Sequence, residues 1–202
     1  MRKFGAVLIL LAMAAGGFVW GWRQRAGGGP NAQLKTLNDL TIAYTLFYQA
    51  GDYAKAVPLA ERAVEAARRR FGERSPETAQ ALNDLGRLHQ AQRAWPAAEA
   101  RHREALAIRE EAFHGSGPEV LQSLTNLAAV YQAQERCADA EPLFARTVTV
   151  LEHYLGSPTH PALAATLQAA ADCLRADGKD AQADAVEARI KALAEPVQPP
   201  QP

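Results

Sequence analysis

Little in this chain suggests chemistry or crosslinking: there are two cysteines, two methionines, and aromatic residues make up only 7% of 202 positions. β-Branched runs are absent outside Thr147 to Val150, which argues against sheet. No G-x-S-x-G, H-E-x-x-H, P-loop or dinucleotide-binding pattern occurs, and Gly27 to Gly29 has no strand before it. Nothing points to an enzyme. Acidic residues are missing from residues 1–30, where Arg2, Lys3, Arg23 and Arg25 stand alone. Setting those four aside leaves 18 basic against 22 acidic residues, so a nucleic-acid partner has no electrostatic footprint to bind. The one basic cluster, Arg68, Arg69, Arg70 and Arg74, stands where a helix end would use it to answer the helix dipole.

What is present is alanine, other helix formers and 48% hydrophobic residues, enough to bury an all-α core. Phe4 to Trp22 is a separate feature, an apolar run of 19 residues that as a helix would reach roughly 28 Å, close to the thickness of a bilayer core. Trp20 and Trp22 sit where an interfacial belt belongs, with basic residues on both flanks. Residues 1–25 therefore read as a single-pass transmembrane anchor, or alternatively as a signal peptide cleaved at Ala12-Met13-Ala14 and releasing a secreted protein. Both readings favour export of the rest of the chain to a periplasmic or extracytoplasmic space, while basic residues on both flanks of the run leave its orientation, and with it a cytosolic location, open. Residues 26–33 are a Gly-rich tether, and the proline-rich tail at 195–202 cannot continue a helix.

Between them the chain repeats with a period of 42. Ala81 to Gln92 answers Ser123 to Gln134, Ala97-Ala98-Glu99 answers Asp139-Ala140-Glu141, and Pro76-Glu77 answers Pro118-Glu119. Gly51 to Ala56 supplies an earlier copy, and Pro161, Leu167, Ala176 and Ala183 supply a later one at 43, with one residue added between Gly156 and His160. Four copies result, at about 34–75, 76–117, 118–160 and 161–194. In the third, Leu124, Leu127 and Tyr131 lie on one helical face and Ala140, Leu143, Phe144 and Val148 on a second, so each copy is a helical hairpin. Ser75-Pro76-Glu77, Gly117-Pro118-Glu119 and His160-Pro161 mark helix starts.

A large residue, Leu three on, a small residue next, an aromatic three later and then G-x-Y-x-x-A in the turn resembles the tetratricopeptide repeat. The 42-residue period, Leu-Asn-Asp-Leu and the Phe71-Gly72…Pro76 linker are similar to its kinesin light chain variety, over residues 34–194. The resemblance implies a right-handed superhelical solenoid of antiparallel helix pairs, about four units behind the N-terminal hydrophobic helix. The copies depart from the pattern at Arg93 and Glu135, which replace the turn glycine, and at Tyr44, which replaces the small residue kept as Gly86, Ala128 and Ala171. Leu37-Asn38-Asp39-Leu40 lies 45 rather than 42 before Leu82, which predicts a first helix about one turn longer. Pro58 and Pro142 predict late starts for their helices. Asp180, Glu187 and Lys191 replace Cys137, Phe144 and Val148, the polar face expected of a terminal cap.

Of the histidines, His89 and His102 fill aromatic slots on facing helices and lack a third metal ligand at suitable spacing, so no metal or other cofactor is expected. Cys137 and Cys173 come from adjacent copies and are read as buried free thiols in preference to a disulfide. The resemblance implies a concave face that holds a peptide segment of a partner protein. Carried over position by position, that groove consists of Asn83, Asp84, Arg87 and Gln90, then Gln122, Thr125, Asn126, Ala129 and Gln132, then Gln168, Asp172 and Arg175. Side-chain amides can pair with a peptide backbone without demanding a sequence, and the mixed charges imply a neutral ligand. The expected protein is a membrane-tethered adaptor, with a self-associating structural module as the alternative.

Overall fold

The computed structural model describes residues 36–155 and 161–194. The anchor or signal segment at 1–25, the tether, the loop insertion before Pro161 and the tail all lie outside these residues. No helix among the described residues is long and apolar enough to cross a membrane.

Eight helices and no strand occur among them: α1 Leu37–Gln49, α2 Tyr53–Phe71, α3 Pro76–Ala91, α4 Trp95–Ala112, α5 Pro118–Ala133, α6 Cys137–Leu155, α7 Pro161–Ala176 and α8 Asp180–Ala194. Each packs on the helix before it and the helix after it, and α3 also touches α5. The result is a row of four hairpins stacked through their neighbours. Hydrophobic cores form within and between hairpins; Leu106 of α4, for example, joins Leu124, Leu127 and Phe144.

The turn inside each hairpin is one motif used four times. Gly51, Arg93, Glu135 and Gly178 all adopt left-handed φ, at 73°, 57°, 58° and 72°. The next residue's N–H reaches back five positions, as in Ala94 to His89 O at 2.9 Å and Lys179 to Leu174 O at 2.8 Å. These are Schellman closures, and their spacing carries the sequence period into space. Arg93 and Glu135 adopt the glycine conformation despite their Cβ atoms, because the closing bonds on either side hold them there.

Two expectations are corrected. The first helix is shorter, not longer: α1 has 13 residues where α3 has 16. Thr36 caps it with a reciprocal box, its hydroxyl accepting from Asp39 N and its own N–H donating to Asp39 Oδ2, both at 3.1 Å. Nor do the prolines delay α2 and α6, since Pro58 and Pro142 are each the sixth residue of the helix. The carbonyls they leave unpaired belong to Ala54 and Ala138, which are exposed and open to water.

The charged residues tie each second helix, or the turn that leads into it, to the second helix before it. Arg68 of α2 meets Glu104 of α4 at 2.5 Å, Arg136 meets Glu99 at 2.7 Å, and Arg146 of α6 meets Glu110 at 2.5 Å. Lys179 meets Glu141 at 2.7 Å, and Arg189 pairs with Glu152. Surface pairs of this kind contribute about 1 kcal/mol or less each, but a ladder of them fixes how hairpins register. Two of the four residues of the basic cluster serve this use, Arg68 through Glu104 and Arg74 through Glu111, and Arg68 also bonds Glu65 and Glu73 locally.

Candidate functional site

The first helices of the hairpins are linked by polar side chains. Tyr44 of α1 donates its hydroxyl to Asp84 of α3 at 2.8 Å, and Asn126 of α5 donates to Asn83 of α3 at 2.7 Å. Gln132 donates to the Ala169 carbonyl of α7 at 3.3 Å. Burial, and then the Asp84 carboxylate, holds the Tyr44 hydroxyl above its ordinary range, so it stays protonated and donating. Asp84 also accepts from Gln80 at 3.1 Å.

Beneath this row lies a buried cation. Arg109 of α4 is 1% exposed and donates to Gln80 Oε1 at 2.7 Å, Ser123 Oγ at 2.8 Å and the Glu119 carbonyl at 3.0 Å. Burial lowers its pKa, with Glu119 and Asp84 opposing, and no carboxylate is among its hydrogen-bond partners. One guanidinium therefore joins α3, α4 and α5 by fixed donors. His102 lies nearby with no exposed surface, its Nε2 2.8 Å from Gln90 Oε1. Burial pushes its pKa down to about 4, helped by the charges of Arg109, Arg87 and His89. The imidazole is neutral near pH 7, so Nε2 carries the proton and donates.

The expected groove residues divide by these contacts. Asn83 has no exposed surface and serves the joint between hairpins, out of reach of any ligand. Gln90 is engaged by His102, and Gln132 and Asn126 are half-buried links to neighbours. Arg175 is exposed but pairs with Asp184 and Glu187 of α8, both at 2.9 Å, within its own hairpin. Arg87, Gln122, Thr125, Ala129, Gln168 and Asp172 remain exposed, with Gln168 donating to Asp172 at 2.9 Å.

One cleft extends the expected groove to α1, whose residues the row of amides left out. Thr41, Tyr44, Thr45, Tyr48 and Gln49 of α1 face Asp84, Arg87 and Leu88 of α3 across a cleft of about 250 Å³. Arg87 lies 5.7 Å from the Tyr48 ring centroid, a cation over an aromatic face. The period would have found this half: 42 residues before Asn83, Arg87 and Gln90 stand Thr41, Thr45 and Tyr48. Tyr44 concealed it, because a large residue in a small-residue slot left the first copy's register open. Hydroxyls, an amide, one carboxylate and one guanidinium around an aromatic wall suit the backbone and side chains of a peptide.

The cysteines are also placed. Cys137 and Cys173 form a disulfide, Cα to Cα 5.1 Å, joining the start of α6 to α7. The free-thiol expectation is thereby corrected. Stacking brings the two positions within bridging distance, which a sequence separation of 36 does not reveal.

The family model described as tetratricopeptide repeat matches residues 33–111 and 119–195. No curated protein matches the chain. Among solved structures, BtubC (BKLC) from P. vanneervenii superposes with a TM-score of 0.70 at 20% identity, covering 82% of this chain and 68% of that one. A Podosopora anserina kinesin light chain-like protein of nearly identical TPR-like repeats gives 0.68 at 21% identity, covering 87% and 81%. A point variant of that protein gives 0.68 at 19% identity, covering 86% and 80%. These likenesses concern the fold, and they agree with the repeat spacing, the four Schellman turns and the hairpin stacking. The chain belongs to the tetratricopeptide repeat family, whose repeats generally mediate protein–protein interaction and are typically not enzymes, and its fold is like that of kinesin light chain-type repeat proteins.

Proposed function

We propose that this protein is a non-enzymatic adaptor that holds an extended segment of a partner protein along the first helices of its hairpins, beginning in the cleft between α1 and α3. The observation that carries this reading is the cleft itself, where Tyr48, Arg87, Thr41 and Thr45 stand at a groove edge. The inter-hairpin ion pairs use much of the charge elsewhere, so the ligand favoured here is a neutral peptide with an apolar or aromatic side chain against Tyr48.

The array is tethered through residues 1–25 and works outside the cytoplasm. Two observations support this: the apolar run Phe4 to Trp22, and the Cys137–Cys173 disulfide, a bond that persists in oxidising compartments. A second reading, self-association through an end of the array, is favoured by exposed Ile42 and Leu46.

A photo-crosslinking residue placed at Thr45 or Thr125 of the full chain in its native cell tests the adaptor reading. The expected result is one discrete protein adduct from both positions and none from Pro58, exposed on α2. Equal adducts from all three positions would contradict it.

A further inference from the structure

In each later hairpin, two positions of the first helix are covered by the stack or bonded across it. One is Leu88, Val130 or Cys173, exposed by 1%, 0% and 4%. The other is Asp84, Asn126 or Ala169, each hydrogen-bonded to the first helix before it. In α1 the same two positions are Leu46 and Ile42, exposed by 60% and 53%. An array end that faces only water needs polar residues there. The opposite end has them: Asp180 and Lys191 are exposed, and Glu187 pairs with Arg175. Among the described residues, the only other large apolar side chain so exposed is Phe71, at the far end of α2.

We infer that the Ile42–Leu46 face is a docking surface for the same face of a second copy of this chain. The two unlike ends decide the symmetry. Head-to-tail stacking would press this apolar stripe against the charged outer side of α8 and desolvate charges without partners. Two-fold pairing instead sets like on like, apolar against apolar, and closes after two copies. Such pairing also places identical charges opposite each other, which an ionic face would resist. From Leu40 to Gly51 there is no Lys, Arg, Asp or Glu, in a chain that is 22% charged. The surface is therefore apolar and uncharged where two copies would meet. The inference deepens the self-association reading above and is independent of the groove reading, since pairing at this end leaves the exposed positions of α5 and α7 free.

The test uses the full chain in detergent micelles or native membranes. Leu46→Cys, oxidised, is expected to give a covalent dimer, whereas Gln182→Cys, exposed on α8, is not. Ile42→Asp with Leu46→Asp is expected to weaken dimerisation by sedimentation at least tenfold, with helicity and thermal midpoint preserved because both residues are already exposed. A monomer at the highest attainable concentration, a dimer indifferent to these substitutions, equal crosslinking at Gln182→Cys, or a Leu46→Cys adduct with a different protein would each overturn the inference.

Discussion

The His102 ring occupies the space that a methyl group on Gly86 would need. A Cβ built on Gly86 would lie 2.6 Å from His102 Cε1 and 2.8 Å from both ring nitrogens. The small-residue slot of the second hairpin thus exists for the imidazole, which in turn holds Gln90. On helix propensity alone Gly86→Ala should stabilise α3 by about 1 kcal/mol. The contact reverses that sign. Gly86→Ala is expected to destabilise by about 1–3 kcal/mol, as overpacking does, and urea unfolding of Gly86→Ala in a His102→Ala background should recover most of the loss. A destabilisation equal in both backgrounds would refute the pairing.

The same ring predicts acid sensitivity. Its folded pKa of about 4 lies below the ordinary 6.5, so the unfolded chain takes up a proton that the folded chain refuses. Stability contributed by neutral His102 is complete above pH 6.5 and is lost as pH falls toward 4, up to about 3 kcal/mol. His89 is shifted the same way by burial and adds to the slope. His102→Gln should flatten the stability profile between pH 6.5 and 4; an unchanged slope would assign the acid loss elsewhere.

At the turns, Arg93 and Glu135 carry a backbone conformation that Gly51 and Gly178 adopt without cost. Arg93→Gly and Glu135→Gly should each raise stability by about 0.5–1 kcal/mol, the relief of left-handed strain less the added entropy of the unfolded chain. Thermal unfolding checks this directly, and lower midpoints would show that the side chains support the turn.

The disulfide closes a loop of 36 residues between the third and fourth hairpins. Loop-closure entropy puts its contribution at about 3–4 kcal/mol. Replacing both cysteines with serine should lower the thermal midpoint and speed hydrogen exchange in α7 and α8, with α3 less affected because hairpin energetics are local. Uniform acceleration across all helices would contradict that locality.

These tests follow from features that were unequally visible in the sequence. Helix number, hairpin pairing and turn positions were legible because a 42-residue period repeats the same local constraints, down to the left-handed turn residue. The first helix misled because Leu37 to Leu40 copies a motif three residues out of register, and only the Thr36 cap sets the true start. The prolines misled because the cost of a lost hydrogen bond depends on whether the free carbonyl meets water. Of the groove residues, exposure separated Arg87 and Thr125 from Asn83, which has the same polarity and register logic but lies between hairpins. Arg109 gave no signal at all, since a buried arginine on a helix reads in sequence as another surface charge.

Binding of a partner's segment in the cleft between α1 and α3 is tested most directly by affinity. The crosslinked partner's segment, as a labelled peptide, is titrated against the full chain and against Tyr48→Ala/Arg87→Ala, and binding is followed by fluorescence anisotropy. The expected affinity is at least tenfold weaker for the double variant, with helicity retained and only a modest fall in thermal midpoint from the lost packing of Tyr48 on Tyr53 and the core edge. Equal affinity for both proteins would contradict a binding role for the cleft.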